Sequence, residues 1–298
     1  MSIQVKNLTH IYGKGMPFEQ VALDDVSFEA EDGQFVGIIG HTGSGKSTLL
    51  QHLNGLLSPD SGSVIVDGVD ITKPGVSMRD IRKNIGLVFQ YPEYQLFEDT
   101  VGKDVAYGPL NLGLTQEEAN ARVDEALKLV GLDPEKIRDK SPFELSGGQK
   151  RRVAIAGVIA MKPRVLIMDE PTAGLDPKAH RELLEMIVRI HRSQNNILIL
   201  VSHNMADIAR LSDKVIVMDS GRAVMEGSPK EIFSRYKELY DIGLNVPPAT
   251  ELLFKLSAKG FDVDTQALTN DEVAAEIARL LKARQAGNPK IANEEEER

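Results

Sequence analysis

Hydrophobic and polar positions alternate near the start of the chain. Ile3, Val5 and Leu8 lie two or three residues apart ahead of His10-Ile11-Tyr12-Gly13, and a second alternating run covers Ala22 to Phe28. A period of two sends successive side chains to opposite faces, so both runs predict strands of an antiparallel β element. After the turn signal Asp32-Gly33 the pattern changes. Phe35 to Ile39, Ile85 to Phe89, Val165 to Met168 and Ile197 to Val201 are unbroken apolar runs of strand length, as expected of strands buried in an α/β sheet. Ser63 to Val66 predicts a short strand between the turns Ser58 to Gly62 and Asp67-Gly68. Val215 to Met218 and Ala223 to Met225 predict a closing hairpin through Ser220-Gly221.

Helical periodicity fills the intervals. Leu49 to Leu53 resumes an apolar pattern directly behind the run that ends at Ile39 and a glycine-rich turn. Thr115 and Glu118 form a capping box ahead of Ala119, Val123, Ala126, Leu127 and Val130 on one helix face, with Gly131 as the stop. Val153, Ala156 and Ile159 mark another helix, and Leu183, Leu184, Ile187 and Ile190 a third. The stretch around Thr115 to Gly131 carries no reactive chemistry and reads as a helical subdomain inserted into the sheet.

The candidate chemistry sits at the ends of these runs. Gly40-His41-Thr42-Gly43-Ser44-Gly45-Lys46-Ser47-Thr48 occupies a strand-to-helix turn, the context a phosphate-binding loop requires. Its glycines let backbone N–H groups turn inward, and the helix N-terminus behind them adds partial positive charge. Lys46 is placed to reach β- and γ-phosphates and the Ser47 hydroxyl to bind Mg²⁺. Ser146-Gly147-Gly148-Gln149, directly ahead of a helix, is a second anion-binding terminus. Asp169 and Glu170 follow a buried strand, and adjacent residues there point in different directions. The pair divides into a metal-binding Asp169 and a Glu170 facing an attacking water, against the plainer reading of a solvated strand end. Gln90 and His203 also stand just past the carboxyl ends of strands, where open α/β sheets bind ligands, although a polar strand end or a structural histidine reads equally simply. Tyr12 admits core packing or stacking on a purine ring.

Taken in order, these segments resemble the ATPase subunit of ATP-binding cassette proteins over residues 1 to about 230. In that likeness Gly40 to Thr48 is the Walker A loop, Gln90 the Q-loop glutamine, and Leu145 to Gln149 the LSGGQ signature. Val165 to Asp169 is the Walker B strand, Ala173 to Asp176 the D-loop, and His203 the switch histidine. Tyr12 matches the adenine-stacking aromatic, which reverses the preference for packing. Gln90-Tyr91-Pro92-Glu93-Tyr94-Gln95-Leu96-Phe97-Glu98-Asp99-Thr100-Val101, then Asp104 to Pro109, is similar to the ATPases of energy-coupling factor (ECF) transporters. Gly40 to Gly43 and Arg151 to Gly157 point to the second of their two paralogous ATPases.

The resemblance implies an α/β fold with a P-loop NTPase core, an antiparallel β subdomain, an inserted helical subdomain over about 91–160 and a small C-terminal helical extension. It implies head-to-tail pairing, with Tyr12, Lys46, Ser47, Thr48, Gln90, Asp169, Glu170 and His203 serving one ATP and its Mg²⁺. Metal binding falls to Ser47, Gln90 and Asp169, and catalysis to Glu170, His203, Gln90 and Lys46. The whole loop from Gly40 through His41, Thr42, Gly43, Ser44 and Gly45 to Thr48 holds the nucleotide. Ser146, Gly147, Gly148, Gln149 and Asp176 complete the set, the signature residues serving the partner's nucleotide. The implied partners are a paralogous ATPase subunit (a homodimer being the alternative), a transmembrane coupling subunit and a substrate-binding membrane subunit, at the cytoplasmic face of the cell membrane. Soluble cassette ATPases acting on DNA or ribosomes are the rival within the fold. The long coiled coil of the first and the paired cassettes of the second are not seen. A regulatory subunit that binds ATP without hydrolysing it is the other rival, and it would be expected to have lost Glu170 or His203.

Composition changes this picture little. The chain has 298 residues, a net charge of −9 and no cysteine, which excludes disulfides and thiolate metal sites. The acidic balance argues against a broad nucleic-acid footprint, and no nucleic-acid partner is expected. No apolar run approaches the roughly 18 residues of a membrane span, and the start lacks the pattern of a signal peptide, so a cytosolic protein able to dock onto a membrane partner is expected. The cassette domain is expected over 1–235 and an extension over 236–286. In the extension Thr250 to Lys259 and a Thr269/Glu272 capping box predict helices, the latter with Val273, Ile277, Leu280 and Leu281 as its stripe. So small a unit cannot bury a core alone and is expected to pack on the cassette or on a second ATPase subunit; the family resemblance implies dimerisation as its role, with a regulatory ligand-binding domain as the alternative. Residues 287–298, with Glu294 to Glu297, are expected to form a disordered tail.

Overall fold

The computed structural model describes residues 2–285, so the tail expected over 287–298 lies outside the described residues. In chain order the strands are β1 (Ile3–Tyr12), β2 (Gln20–Ala30), β3 (Phe35–Gly40), β4 (Ser61–Val66), β5 (Val69–Asp70), β6 (Ile85–Val88), β7 (Val165–Asp169), β8 (Ile197–Val201), β9 (Lys214–Asp219) and β10 (Arg222–Gly227). The helices are α1 (Lys46–Leu53), α2 (Met78–Asn84), α3 (Val101–Asn111), α4 (Gln116–Leu129), α5 (Pro134–Ile137), α6 (Gly147–Ile159), α7 (Pro177–Gln194), α8 (Met205–Leu211), α9 (Pro229–Ser234), α10 (Tyr236–Asp241), α11 (Pro248–Ala258) and α12 (Asn270–Gln285). None of the described helices is long and apolar enough to cross a membrane.

The alternating runs build an antiparallel sheet of order β2-β1-β4-β5, and the continuous runs build a second sheet of order β10-β9-β3-β8-β7-β6. In the second sheet β9, β3, β8, β7 and β6 are parallel and only the edge strand β10 runs against its neighbour. Both faces of this sheet are covered. Ile38, Ile167, Ile199 and Val201 face the core shared with β1, β2, β4 and α1, whereas Ile39, Leu166, Met168 and Leu200 face the core shared with α3, α4, α6 and α7. Burial on both sides explains why these strands lack a polar alternate position.

Register sets the site. Asp169 pairs with Val201, Val88 with Met168 and Ile38 with Val201. The carboxyl ends of β3, β6, β7 and β8 are therefore level, and the residues that leave them emerge along one edge. The Thr115/Glu118 capping box forms as expected, with the Glu118 N–H donating to Thr115 Oγ1 and the Thr115 N–H to Glu118 Oε2. Gly131 takes a φ of +74° behind α4, where a side chain would be strained.

Several elements differ from the sequence expectation. β4 starts at Ser61, two residues earlier than expected, because Ser61 pairs with Thr9. Strand β5 and helices α2, α3, α5, α8, α9 and α10 are additional to the sequence expectation. Two of them carried visible signals: the Thr100 hydroxyl accepts from the Lys103 N–H, and Ser228 and Glu231 form a capping box around Pro229. These helices are short, so tertiary contacts rather than periodicity stabilise them.

The extension packs on the cassette. Leu239, Leu244, Val246 and Leu268 join the main core, and Phe254 stacks on Tyr236 with ring centroids 3.9 Å apart. A satellite core gathers Leu253, Ala267 and Val273. Thr269 and Glu272 exchange the expected capping hydrogen bonds. The apolar stripe of α12 is narrower than expected, since Leu280 is buried but Leu281 is 57% exposed. Leu253→Ala empties a fully buried position and is expected to cost about 2–5 kcal/mol of local stability. Hydrogen exchange should report it as faster amide exchange in α11 and α12, with β3 and β8 unchanged.

Candidate active site

The P-loop is built by close approach. A Cβ on Gly40 would lie 2.4 Å from the Met218 carbonyl oxygen, and one on Gly45, whose φ is +97°, would lie 2.5 Å from the Ala22 carbonyl oxygen. Glycine alone lets the loop fold this tightly onto β2 and β9. The Lys46 ammonium donates to the carbonyl oxygens of Gly40 and His41, both at 2.8 Å, and to Ser44 Oγ at 3.4 Å. Burial lowers the Lys46 pKa below its ordinary value, with the Glu170 and Asp169 carboxylates opposing that shift. Thr42 and Gly43 lie exposed at the tip, while Ser44 is buried.

Level strand ends bring four distant residues against this loop. The Ser47 hydroxyl donates to Asp169 Oδ2 at 2.8 Å. Next along the chain, Glu170 receives two partners: Gln90 Nε2 donates to Oε2 at 3.2 Å, and His203 Nε2 lies 2.7 Å from Oε1. Glu170 holds a φ of +47°, a left-handed backbone that costs a non-glycine residue about 1–2 kcal/mol. Its N–H donates to the Val201 carbonyl at 3.0 Å, and its own carbonyl accepts from the Ala173 N–H at 3.0 Å. This twist turns Glu170 away from Asp169, so the two adjacent carboxylates take different partners.

The other expected residues divide into two places. Tyr12 is 41% exposed and does not pack in the core; its hydroxyl lies 3.3 Å from Thr48 Oγ1 and its ring stands edge-on to His10 at 4.6 Å. Behind His10, burial and then the neighbouring His10 ring push His52 down to about 4, so His52 is neutral at physiological pH. Ser146, Gly147, Gly148 and Gln149 are exposed at the N-terminus of α6. There Ser146 accepts from the Gln149 N–H, and Gln149 Oε1 accepts from the Ser146 N–H. Among the hydrogen bonds of the described residues none joins this group to the P-loop. Ser146, Gly148 and Gln149 border, with Leu175 and Ala179, a hollow of about 220 Å³. Asp176 caps α7, accepting from the N–H groups of Lys178 and Ala179 at 2.9 and 3.0 Å. Those backbone contacts, Ala179 first, hold its carboxyl below the ordinary range.

Arg151 carries a structural role that its place in the family likeness does not reveal. It is 4% exposed. Its guanidinium donates twice to Glu93, at 2.9 and 2.7 Å, and to the carbonyls of Pro171 and Ala173 at 3.2 and 2.8 Å, with the Tyr91 ring 5.8 Å away. One side chain on α6 thus ties the loop after Gln90 to the loop after Glu170. The arginine directly behind Gln149-Lys150 was the only signal, and its partners are remote in sequence.

A P-loop on one edge of a parallel sheet, an aspartate and glutamate at the end of β7, and a helical insert bearing a second glycine-led helix terminus define a nucleotide-binding ATPase of the cassette class. The comparisons agree with this. Residues 23–173 match the ABC transporter family. The energy-coupling factor transporter ATP-binding protein EcfA2 of Clostridium tetani is 54% identical over 94% of this chain and 98% of its own length, and that of Clostridioides difficile 56% identical over 95% and 99%. A solved structure of cbiO1 from Clostridium perfringens, described as part of the ABC transporter complex cbiONQ, is 38% identical with a TM-score of 0.70 over 80% of this chain and 93% of that one. A dimeric cassette, MJ0796 bound to ADP and Pi, is 28% identical with a TM-score of 0.67, covering 76% of this chain and 98% of that one. The chain belongs to the ATP-binding proteins of energy-coupling factor transporters and is an ATPase.

Proposed function

We propose that this ATPase drives an importer of vitamins or transition-metal ions as one half of a head-to-tail ATPase pair docked on a transmembrane subunit. The observation that carries the catalytic part is the division of labour at the end of β7, where Asp169 meets Ser47 and Glu170 meets Gln90 and His203. Ser47 Oγ and Asp169 Oδ2 are adjacent hard oxygen donors. With the Gln90 side chain they fit a magnesium ion, which would neutralise charge on the phosphate oxygens.

The remaining steps fall to side chains of this chain. Tyr12, exposed beside Thr48, would stack on the adenine. Lys46 and the amides of residues 40–48 would hold the phosphates, and Glu170 would orient and deprotonate the attacking water. His203, whose Nε2 lies beside Glu170 Oε1, would turn to the γ-phosphate. Ser146, Gly147, Gly148 and Gln149, exposed and separate from the P-loop, would serve the partner's nucleotide, with Asp176 at the contact between subunits.

Coupling to the membrane is supported by a groove of about 780 Å³ between the strand sheet and the helical subdomain. Leu87, Phe89, Leu96, Phe97 and Tyr107 line it together with the basic Arg79, Arg82 and Lys83. It opens beside the loop that follows Gln90, so a transmembrane partner seated there would feel the nucleotide state through that loop. Residues 1–235 would act as the cassette and 236–286 as an added dimerisation element. Affinity purification from membranes is expected to recover a paralogous ATPase and two membrane subunits. Recovery of ribosomes or soluble partners alone would defeat the transport reading.

A further inference from the structure

His41 belongs to the P-loop, yet its side chain leaves it. Nε2 lies 2.7 Å from Asp219 Oδ1 at the end of β9, and Nδ1 lies 2.8 Å from the Thr42 carbonyl oxygen. A carbonyl oxygen has no proton to give, so Nδ1 must carry an N–H; an ionised carboxylate has none either, so Nε2 must carry the second. A neutral imidazole owns only one N–H. The contacts are those of an imidazolium, and the Thr42 carbonyl first, then Asp219, raise the His41 pKa above its ordinary value. Lys46, the other charged group acting on the ring, opposes this shift, as does burial.

The turn that receives His41 holds the loop at a second point. The Gly221 N–H donates to the Ser44 carbonyl at 3.2 Å, and the Ser220 hydroxyl donates to Asp219 Oδ1 at 3.3 Å. The β9–β10 turn and the loop are thus fastened on both sides of Thr42-Gly43, by residues 178 positions apart in the case of His41 and Asp219.

We propose that His41 is a positioning residue of the nucleotide site: as an imidazolium it latches the start of the P-loop to the β9–β10 turn, and this latch makes ATP affinity fall as pH rises. The inference rests on the reading of Gly40 to Thr48 as the nucleotide site. Its sign follows from linkage. Phosphate charge and the ordered loop both favour the protonated ring, so the protonated form binds ATP more tightly. Binding in turn raises the His41 pKa, and affinity declines as pH climbs through the value of the free protein.

The test is equilibrium binding of a fluorescent ATP analogue with Mg²⁺ to the full chain between about pH 6 and 9. Wild type is compared with His41→Gln and Asp219→Asn, and thermal unfolding confirms that each variant is folded. The ratio of wild-type to His41→Gln affinity cancels the titration of the nucleotide itself. It is expected to fall about five- to tenfold across that range. Asp219→Asn keeps an acceptor but removes the anion, so its midpoint is expected to move to lower pH. A purely structural histidine would not produce that displacement. A ratio that stays constant with pH, or an Asp219→Asn midpoint that does not move, overturns the latch. Binding left unchanged by Lys46→Ala overturns the P-loop site itself, and the inference with it.

Discussion

Glu170→Gln is expected to retain nucleotide binding and to lose about 10²- to 10⁴-fold in ATP turnover. The substitution keeps the shape of the side chain and removes the group able to take a proton from water. It also disturbs what surrounds that group, because Gln90 already donates to Oε2 while His203 lies against Oε1. An amide replacing the carboxylate offers one acceptor where two partners converge. The P-loop's hydrogen bonds do not involve Glu170, since Lys46 is held by Gly40, His41 and Ser44 and the Ser47 hydroxyl by Asp169. Phosphate release from the assembled complex and binding of a labelled nucleotide separate the two effects. A wild-type rate in the variant would remove Glu170 from the mechanism. The left-handed backbone at Glu170 adds a second expectation, that the folded variant keeps the twist, because the hydrogen bonds to Val201 and Ala173 impose it.

The second large effect is structural. Arg151→Ala is expected to destabilise the protein by about 3–5 kcal/mol, the range seen when one partner of a buried ion pair is removed. Three acceptors lose their donor together: the Glu93 carboxylate and the carbonyls of Pro171 and Ala173. Arg151→Lys keeps the charge but not the planar fork that reaches all three, so it is expected to fall between alanine and wild type. Chemical denaturation at neutral pH measures the series.

The same pair predicts a pH dependence. Burial pushes the Glu93 pKa up, but hydrogen bonding and charge from Arg151 outweigh it and hold the carboxyl below the ordinary range. A depressed carboxylate contributes stability that is present above its unfolded pKa and is lost as pH falls through its folded value. The gap between wild type and Arg151→Ala is therefore expected to be widest near neutrality and to narrow in acid. A gap independent of pH would assign the loss to packing rather than to the ion pair.

Arg151 also bears on how the ATPase works. It joins the signature helix α6, the loop after Gln90 and the loop after Glu170, three segments that the proposed function assigns to the partner's nucleotide, the membrane subunit and the attacking water. Any one of them moving as a unit pulls on a single guanidinium. His41 and Asp219 form a comparable tie on the opposite side of the P-loop.

The local structure of individual segments was legible before any fold was known. Gly40 to Thr48 needed a tight turn between a strand and a helix, and the runs on either side supply both. Thr115 with Glu118 announced its helix because capping is settled within four residues. The unbroken apolar runs Val165 to Met168 and Ile197 to Val201 declared strands covered on both faces. Where signals were longer-ranged or weaker, the reading fell short. Leu281 fits the α12 stripe by spacing yet faces solvent, since the satellite core of Leu253, Ala267 and Val273 is too small to cover it.

By itself the sequence determined the long strands, the helices with a clear period or cap, the residue types available for phosphate binding and their order, because strand and helix periods, caps and glycine turns are local physics. Only the tertiary structure decided which of those residues meet. Gln90 reaches Glu170 across 80 positions, Arg151 reaches Glu93 across 58, and His41 reaches Asp219 across 178. The first follows from the parallel register that levels Val88 with Met168, the last from the pairing of Gly40 with Met218, and the Arg151 contact from the packing of α6 beside the segment after β6. Register is set by how two buried faces pack at once, a condition that no local window of sequence contains.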